Sequence, residues 1–173
     1  ELCAKTIRLE ASPTAEQLAV LTTDRIVLKP LSDSGGKGIH IVPKDPKEIA
    51  NLDLPYPYIA QNFLDTSTGI PGICTGPHDL RLMTAGGKLI TAYFRRPPKG
   101  GLLANISLGG SAEDLTNEQV PADALAIMEQ VDQQFTHFPH RLYTVDVLYA
   151  EGKPYLCELN DKPGFPLVDQ TDY

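Results

Sequence analysis

Three oxygen-bearing side chains near the end of the chain have the types and the spacing to hold a hard cation. Asp146 lies in "YTVDVLY", and Glu158 and Asn160 lie in "YLCELND". If the two runs pair as a hairpin, Asp146 and Glu158 stand on neighbouring strands. Glu158 and Asn160 are two residues apart, so they share one face of the sheet. A partial set of oxygen ligands suits Mg²⁺, which keeps some waters and takes its other ligands from substrate phosphates. The competing reading is a solvated sheet face. That reading would put Lys and Thr among the carboxylates, and it accounts poorly for the apolar residues on either side.

A second stretch has the makings of a phosphate site. "RIVLKPLSDSGGKGIHIV" runs from Arg25 to Val42. A P-loop needs Gly, four residues, then Gly-Lys-Ser/Thr at the start of a helix. Here Gly38 follows Lys37, and "IHIV" alternates as a strand does. The stretch therefore predicts a hairpin with a glycine flap, whose backbone N–H groups and lysines would face an anion. Lys29 closes the first strand. It either snorkels to solvent or meets an anion, and the flap beside it favours the anion. Arg81, Arg95 and Arg96 share a further hairpin with Asp79. They either clamp a transferring phosphoryl group or form surface ion pairs. His40, His78, His137 and His140 share no metal-ligand spacing and read as surface or loop residues. Ser34, Ser107 and Ser111 lack a Gly-x-Ser-x-Gly context, so serine hydrolysis is unsupported.

The elements that must position these residues are mostly hairpins. "ASPTAEQLAVL" predicts a short helix with Ser12 as N-cap and Pro13 at its first position. "KDPKEIANL" predicts another, capped by Asp45. "PYIAQNFL" reads as a strand and "DTSTGIPGICTGP" as a loop. "HDLRLMTAGGKLITAYFRR" is a hairpin around Gly86-Gly87, and "PPKGGLLANISLGGS" a second loop. Ala124, Ile127, Met128 and Val131 have helical spacing between Pro121 and Phe135. "LYTVDVLYAEGKPYLCELN" is a final hairpin turning at Glu151-Gly152-Lys153, followed by an irregular tail. Strand and helix do not alternate regularly, which excludes a Rossmann layout and leaves an α+β fold.

Composition sets the outer limits. The 173 residues are 42% hydrophobic and 21% charged, as in an ordinary globular protein of one domain or two lobes sharing a cleft. The net charge of -7 argues against a nucleic-acid partner. No apolar run approaches the roughly 20 residues that span a bilayer, so no membrane partner is expected. Cys3, Cys74 and Cys157 match no zinc or redox spacing and read as reduced thiols of a cytoplasmic protein. The chain begins at Glu1 with no signal-peptide pattern, and is expected to be a piece of a longer protein or a trimmed one.

Taken in order, these motifs resemble the ATP-grasp superfamily, and within it bacterial glutathione synthetase and the ligases that add glutamate to a ribosomal protein's C-terminus. "VLKPLSDSGGKGI" is similar to that family's first phosphate lysine and glycine flap. "YIAQNFL" is similar to the strand leading to the adenine hinge. "HDLRLMTAGGKLITAYFRRPPKGGLLANISLGGS" is similar to the central segment, and "VDVLYAEGKPYLCELNDKPGF" to the metal-binding hairpin. The likeness covers about Arg25 to Phe165.

The resemblance implies an α+β ATP-grasp fold of two lobes, residues 1–63 with the flap and residues 64–173 with the metal hairpin, gripping ATP. It implies that Lys29 contacts the α- and β-phosphates, that Gly35, Gly36, Lys37 and Gly38 form the lid, and that Gln61, Asn62, Phe63 and Leu64 border the adenine. Asp79 would hold the ribose hydroxyls. Arg95 and Arg81 would serve the transferred phosphoryl group, with Asn105 close to the same phosphates. Asp146, Glu158 and Asn160 would hold Mg²⁺, or Mn²⁺ in its place. The implied activity is ATP-dependent joining of a carboxylate, small or peptidic, to an amine through an acylphosphate. The alternative is a nucleotide-binding regulatory module without ligase activity, and a homo-oligomer is compatible with both. The chain departs from its likeness in three places. Leu103 stands where the relatives carry an arginine two residues before the Asn. The family's N-terminal domain is expected to be absent. Its C-terminal helix is expected to be cut short at Tyr173.

Overall fold

Alternating apolar residues and tight glycine turns fold the chain into two antiparallel sheets. The computed structural model of the protein describes residues 2–32 and 35–163. Asp33 and Ser34 of the flap lie outside the described residues, as does the tail from Gly164 with the expected truncation at Tyr173.

The first sheet holds β1 (Thr6–Leu9), β2 (Arg25–Pro30), β3 (His40–Pro43) and β4 (Tyr58–Asn62) in the order β1-β4-β2-β3. The β2–β3 hairpin pairs Ile26 with Val42 and Leu28 with His40. It therefore presents Lys29, at the end of β2, beside the flap. Two short helices cover the sheet, α1 (Ala15–Leu18) and α2 (Pro46–Ala50). The sequence places the start of α1 at Ser12-Pro13, but Thr14 is the N-cap. Its hydroxyl accepts from Gln17 N, and Gln17 Oε1 accepts from Thr14 N. This capping box satisfies two donors that a start at Ser12 would leave open. Asp45 caps α2 as expected. Leu9, Leu18, Leu21, Ile26, Leu28, Ile49 and Tyr58 form the core beneath.

The second sheet runs β7-β6-β5-β8-β9 through β5 (Asp79–Ala85), β6 (Lys88–Arg96), β7 (Ser111–Leu115), β8 (Leu142–Ala150) and β9 (Lys153–Asn160). The hairpin turns fall at Gly86-Gly87 and Glu151-Gly152, all four with positive φ. The strand β7 has no sequence signal. "SAEDL" is largely exposed and forms because the β6 edge offers it a ladder from Ala92–Leu115 to Arg96–Ser111. Helix α3 (Ala122–Gln133) lays Ala124, Ile127, Met128 and Val131 on the face formed by Leu80, Leu82, Phe94, Val145, Val147 and Tyr149. The opposite face is left for polar side chains.

The residues before β1 tie into the second sheet. Leu156 N donates to Leu2 O at 2.8 Å and Cys3 bridges Leu156, so the first residues lie against the second sheet and the chain reaches the first sheet only at β1.

Candidate active site

Register decides which polar residues meet. In the central strands Arg81 lies opposite Asp146, Asp79 opposite Arg95, and Asp146 opposite Glu158. Directly opposed residues point to one side of a sheet, so five charged groups share the face that α3 does not cover. Four of them lock together. Arg81 donates through Nε to Asp146 Oδ1 (2.7 Å) and through Nη2 to Oδ2 (2.5 Å). Arg95 Nη2 donates to Asp146 Oδ2 (2.9 Å) and to Asp79 Oδ1 (2.6 Å). Two carboxylates and two guanidiniums thus form a neutral chain, with Asp146 at 1% exposure in its middle. Burial, and then repulsion from Asp146, push the Asp79 carboxyl up to about 6, against the pull of Arg95.

A cavity of about 400 Å³ opens between the sheets. The β2 end, the flap and the hinge after β4 line one side. The loops before β5 and after β6, together with β9, line the other. Thirteen of the sequence-derived site residues reach it: Lys29, Gly35, Gly36, Lys37, Gln61, Asn62, Phe63, Leu64, Asp79, Arg95, Asn105, Glu158 and Asn160. Three do not. Gly38 lies just outside, packed towards Pro30 and the Tyr58 hydroxyl. Arg81 and Asp146 lie beneath the wall, spent on each other. The expectation that Asp146 completes an oxygen trio at the surface of the sheet differs from this placement. Both its oxygens are taken by guanidinium donors, and the same contacts hold Arg81 away from the cavity.

The flap is closed over the loop after β6. Gly36 has φ +81, and a Cβ there would stand 2.8 Å from Asn105 Oδ1. Ser107 Oγ donates to Gly35 O at 3.1 Å. Only glycine permits this approach, and it brings backbone donors to the cavity's edge. At the other end, the side chains of Gln61 and Asn62 are engaged with Thr6 and Thr22, and the N–H groups of Asn62 and Phe63 donate to Lys5 O and Arg25 O, which fixes the hinge at the cavity's edge. The Arg25 guanidinium packs over the Phe63 ring, 4.6 Å from its centroid.

Among the lining residues that the sequence reading did not assign to the site are His78 and Cys157. His78, expected on the surface, is 3% exposed. In the β5–β8 register it would stand opposite Tyr149, and its imidazole replaces the ladder carbonyl there. Nε2 accepts from Tyr149 N (3.1 Å), and Nδ1 lies 3.1 Å from Gly76 O. Burial lowers its pKa, which keeps the ring neutral. Cys157 sits at the bulge of β9 with its Sγ 3.5 Å from Lys29 Nζ, and burial pushes its thiol up to about 12. A buried thiol of that kind is an inert wall residue. None of the three cysteines forms a disulfide.

Whether the site fits a metal turns on its donor set. Among the described residues no three His, Cys, Asp or Glu side chains gather closely enough to hold an ion by themselves. Glu158 and Asn160 line the cavity, and Asn160 Nδ2 is buried with no hydrogen-bond partner, as is Thr144 Oγ1 directly opposite it. The Glu158 carboxylate and the Asn160 Oδ1, two residues apart on one strand at the cavity, are oxygen donors of the kind that fit a cation taking its other ligands from water and phosphate.

The family follows from the whole chain. The model of the prokaryotic glutathione synthetase ATP-grasp domain matches residues 2–160. The chain belongs to that family. A probable alpha-L-glutamate ligase of Shewanella sp. (strain W3-18-1) is 26% identical over 144 residues, covering 79% of this chain and 43% of that protein. The fold is also that of a D-alanine–D-alanine ligase from Bacillus anthracis, with a TM-score of 0.64 at 16% identity over 96% of this chain and 53% of that one. A RimK domain ATP-grasp protein from Sphaerobacter thermophilus gives 0.59 at 18% identity, covering 92% and 53%. The chain thus spans about half the length of these relatives. No helix among the described residues is long and apolar enough to cross a membrane.

Proposed function

We propose that this chain is the ATP-binding part of a ligase that joins a carboxylate to an amine. One observation supports this reading above the others. A single cavity brings together lysines and a closed glycine flap on one side, and a Glu-x-Asn pair on a neutralised arginine–aspartate sheet on the other. That is an arrangement for a polyphosphate with a cation.

In this reading the hinge at Gln61–Leu64 takes the adenine edge through main-chain groups, and Asp79 takes the ribose hydroxyls. Lys29, the flap amides, Lys37 and Asn105 take the phosphates, and Arg95 faces the outermost one. Glu158 and Asn160 would hold Mg²⁺, or Mn²⁺, which supplies charge neutralisation on the phosphate oxygens. Asp146 aims Arg95 and fixes Arg81 beneath it, so the paired cluster acts as a rigid floor, with Arg95 at its surface, that does not reorganise during the reaction. The carboxylate substrate attacks the γ-phosphorus, ADP leaves, and the amine then displaces phosphate from the acyl carbon. No side-chain nucleophile is required, and the protein contributes position and charge. The absence of any disulfide among the three cysteines agrees with a cytoplasmic setting.

The test titrates Mg·ATP into the full-length protein by calorimetry and then measures ADP release with and without a pool of carboxylates and amines. Carboxylate-stimulated ADP release is expected. Tight nucleotide binding with no such stimulation overturns the ligase reading in favour of a nucleotide-binding regulatory module.

A further inference from the structure

The flap end of the cavity has an apolar wall that phosphate recognition does not use. Leu31 precedes the flap, and Leu102 and Leu103 precede Asn105, which the flap touches. All three line the cavity. Leu31 is 46% and Leu102 44% exposed, so both still offer apolar surface to whatever occupies that end of the cavity. The lining cations are Lys29, Lys37 and Arg95. Arg95 is already bound to Asp79 and Asp146. Lys29 and Lys37 form no ion pair with another described residue, and a triphosphate carries more negative charge than they supply. His78 offers nothing, because both ring nitrogens are engaged.

We infer that the carboxylate substrate carries an apolar, uncharged group beside its reacting carboxyl, and that Leu31, Leu102 and Leu103 select it against dicarboxylates. This rests on the ligase reading above. A second carboxylate placed against these leucines would lose water and gain no cation, a cost that an unpaired buried charge does not recover. An aliphatic group there covers exposed leucine surface and is favoured. The selected substrates are accordingly monocarboxylates such as short aliphatic amino acids, or peptides ending in one.

The experiment uses the full-length protein with Mg·ATP, hydroxylamine as the amine, and alanine, valine, leucine, aspartate and glutamate as separate carboxylates. Attack of the carboxylate oxygen on the γ-phosphorus releases ADP. Attack of the hydroxylamine nitrogen on the acyl carbon then releases phosphate and leaves a hydroxamate, which is measured. The aliphatic acids are expected to exceed the dicarboxylates in kcat/KM by about tenfold or more, the range in which pocket contacts discriminate. Leu103→Arg should narrow or reverse that ratio, and Leu102→Arg serves as a second variant should the first not fold. A wild-type preference for glutamate, a ratio unchanged in both variants, or no hydroxamate from any of the five overturns the inference. Mg·ATP affinity is measured alongside. Its absence would instead overturn the nucleotide reading, whereas intact affinity with the wrong preference would overturn the substrate inference alone.

Discussion

Replacing Asp146 with Asn separates its two candidate roles, because the carboxylate is either a cation ligand or the anchor of two arginines. The side chain accepts two donors from Arg81 and one from Arg95, at 2.5–2.9 Å, with 2% of its side chain exposed. Asn keeps the shape but removes the charge, so two guanidiniums would share Asp79 alone. Removing one partner of a buried ion pair costs about 3–5 kcal/mol, mainly through the charge left behind. In a domain of this size about 1 kcal/mol moves Tm by roughly 2–4 °C, so the expected fall is roughly 6–20 °C without any ligand. The assay is thermal unfolding of the ligand-free protein by circular dichroism. Asp146→Asn, Arg81→Met and the double variant complete a cycle, in which the pair should couple by on the order of 1–3 kcal/mol. A ligand-free Asp146→Asn protein melting within about 2 °C of wild type, while Mg·ATP binding is lost, would refute the anchoring argument and return Asp146 to the cation.

Three further outcomes follow from the same geometry. Glu158→Gln should weaken Mg·ATP binding by about tenfold, or about 1.4 kcal/mol, with unfolding unchanged, and equal affinity by calorimetry would move the cation elsewhere. Gly36→Ala forces a Cβ to 2.8 Å from Asn105 Oδ1 at φ +81, so nucleotide affinity should drop at least about tenfold while Tm moves little, since the flap carries few core contacts. Two buried titrations should oppose each other in a pH series of stability. Asp79, raised to about 6, contributes stability that is full below about 3.8 and lost as pH rises to about 6. His78, lowered from 6.5, contributes stability that is present above 6.5 and lost as pH falls through its folded value. Asp79→Asn should remove the first slope and His78→Phe the second, read by urea unfolding between pH 4 and 8. An unchanged profile in both variants would show that neither group titrates as its burial dictates.

Much of this architecture is written locally. Alternation and glycine turns specified the hairpins at Gly86-Gly87 and Glu151-Gly152, and Asp45-Pro46 specified the start of α2, because turns and caps are satisfied within a few residues. The motifs from Lys29 to Asn160 supply most of the polar side chains that line the cavity. Other features needed the assembled sheet. "SAEDL" is a strand only because the β6 edge has donors and acceptors to fill. His78 looked like a loop residue, yet it is buried because it completes a ladder position opposite Tyr149, 71 residues away. Asp146, Glu158 and Asn160 read as one trio, since spacing places them on one face. What spacing does not reveal is the charge on the next strand. Arg81 lies opposite Asp146 by register and claims both its oxygens, which leaves Glu158 and Asn160 at the cavity. Local hydrogen bonding and side-chain period therefore determined the elements. Long-range pairing of charges, which depends on strand order and register, decided which side chains meet the cavity and which lie beneath it.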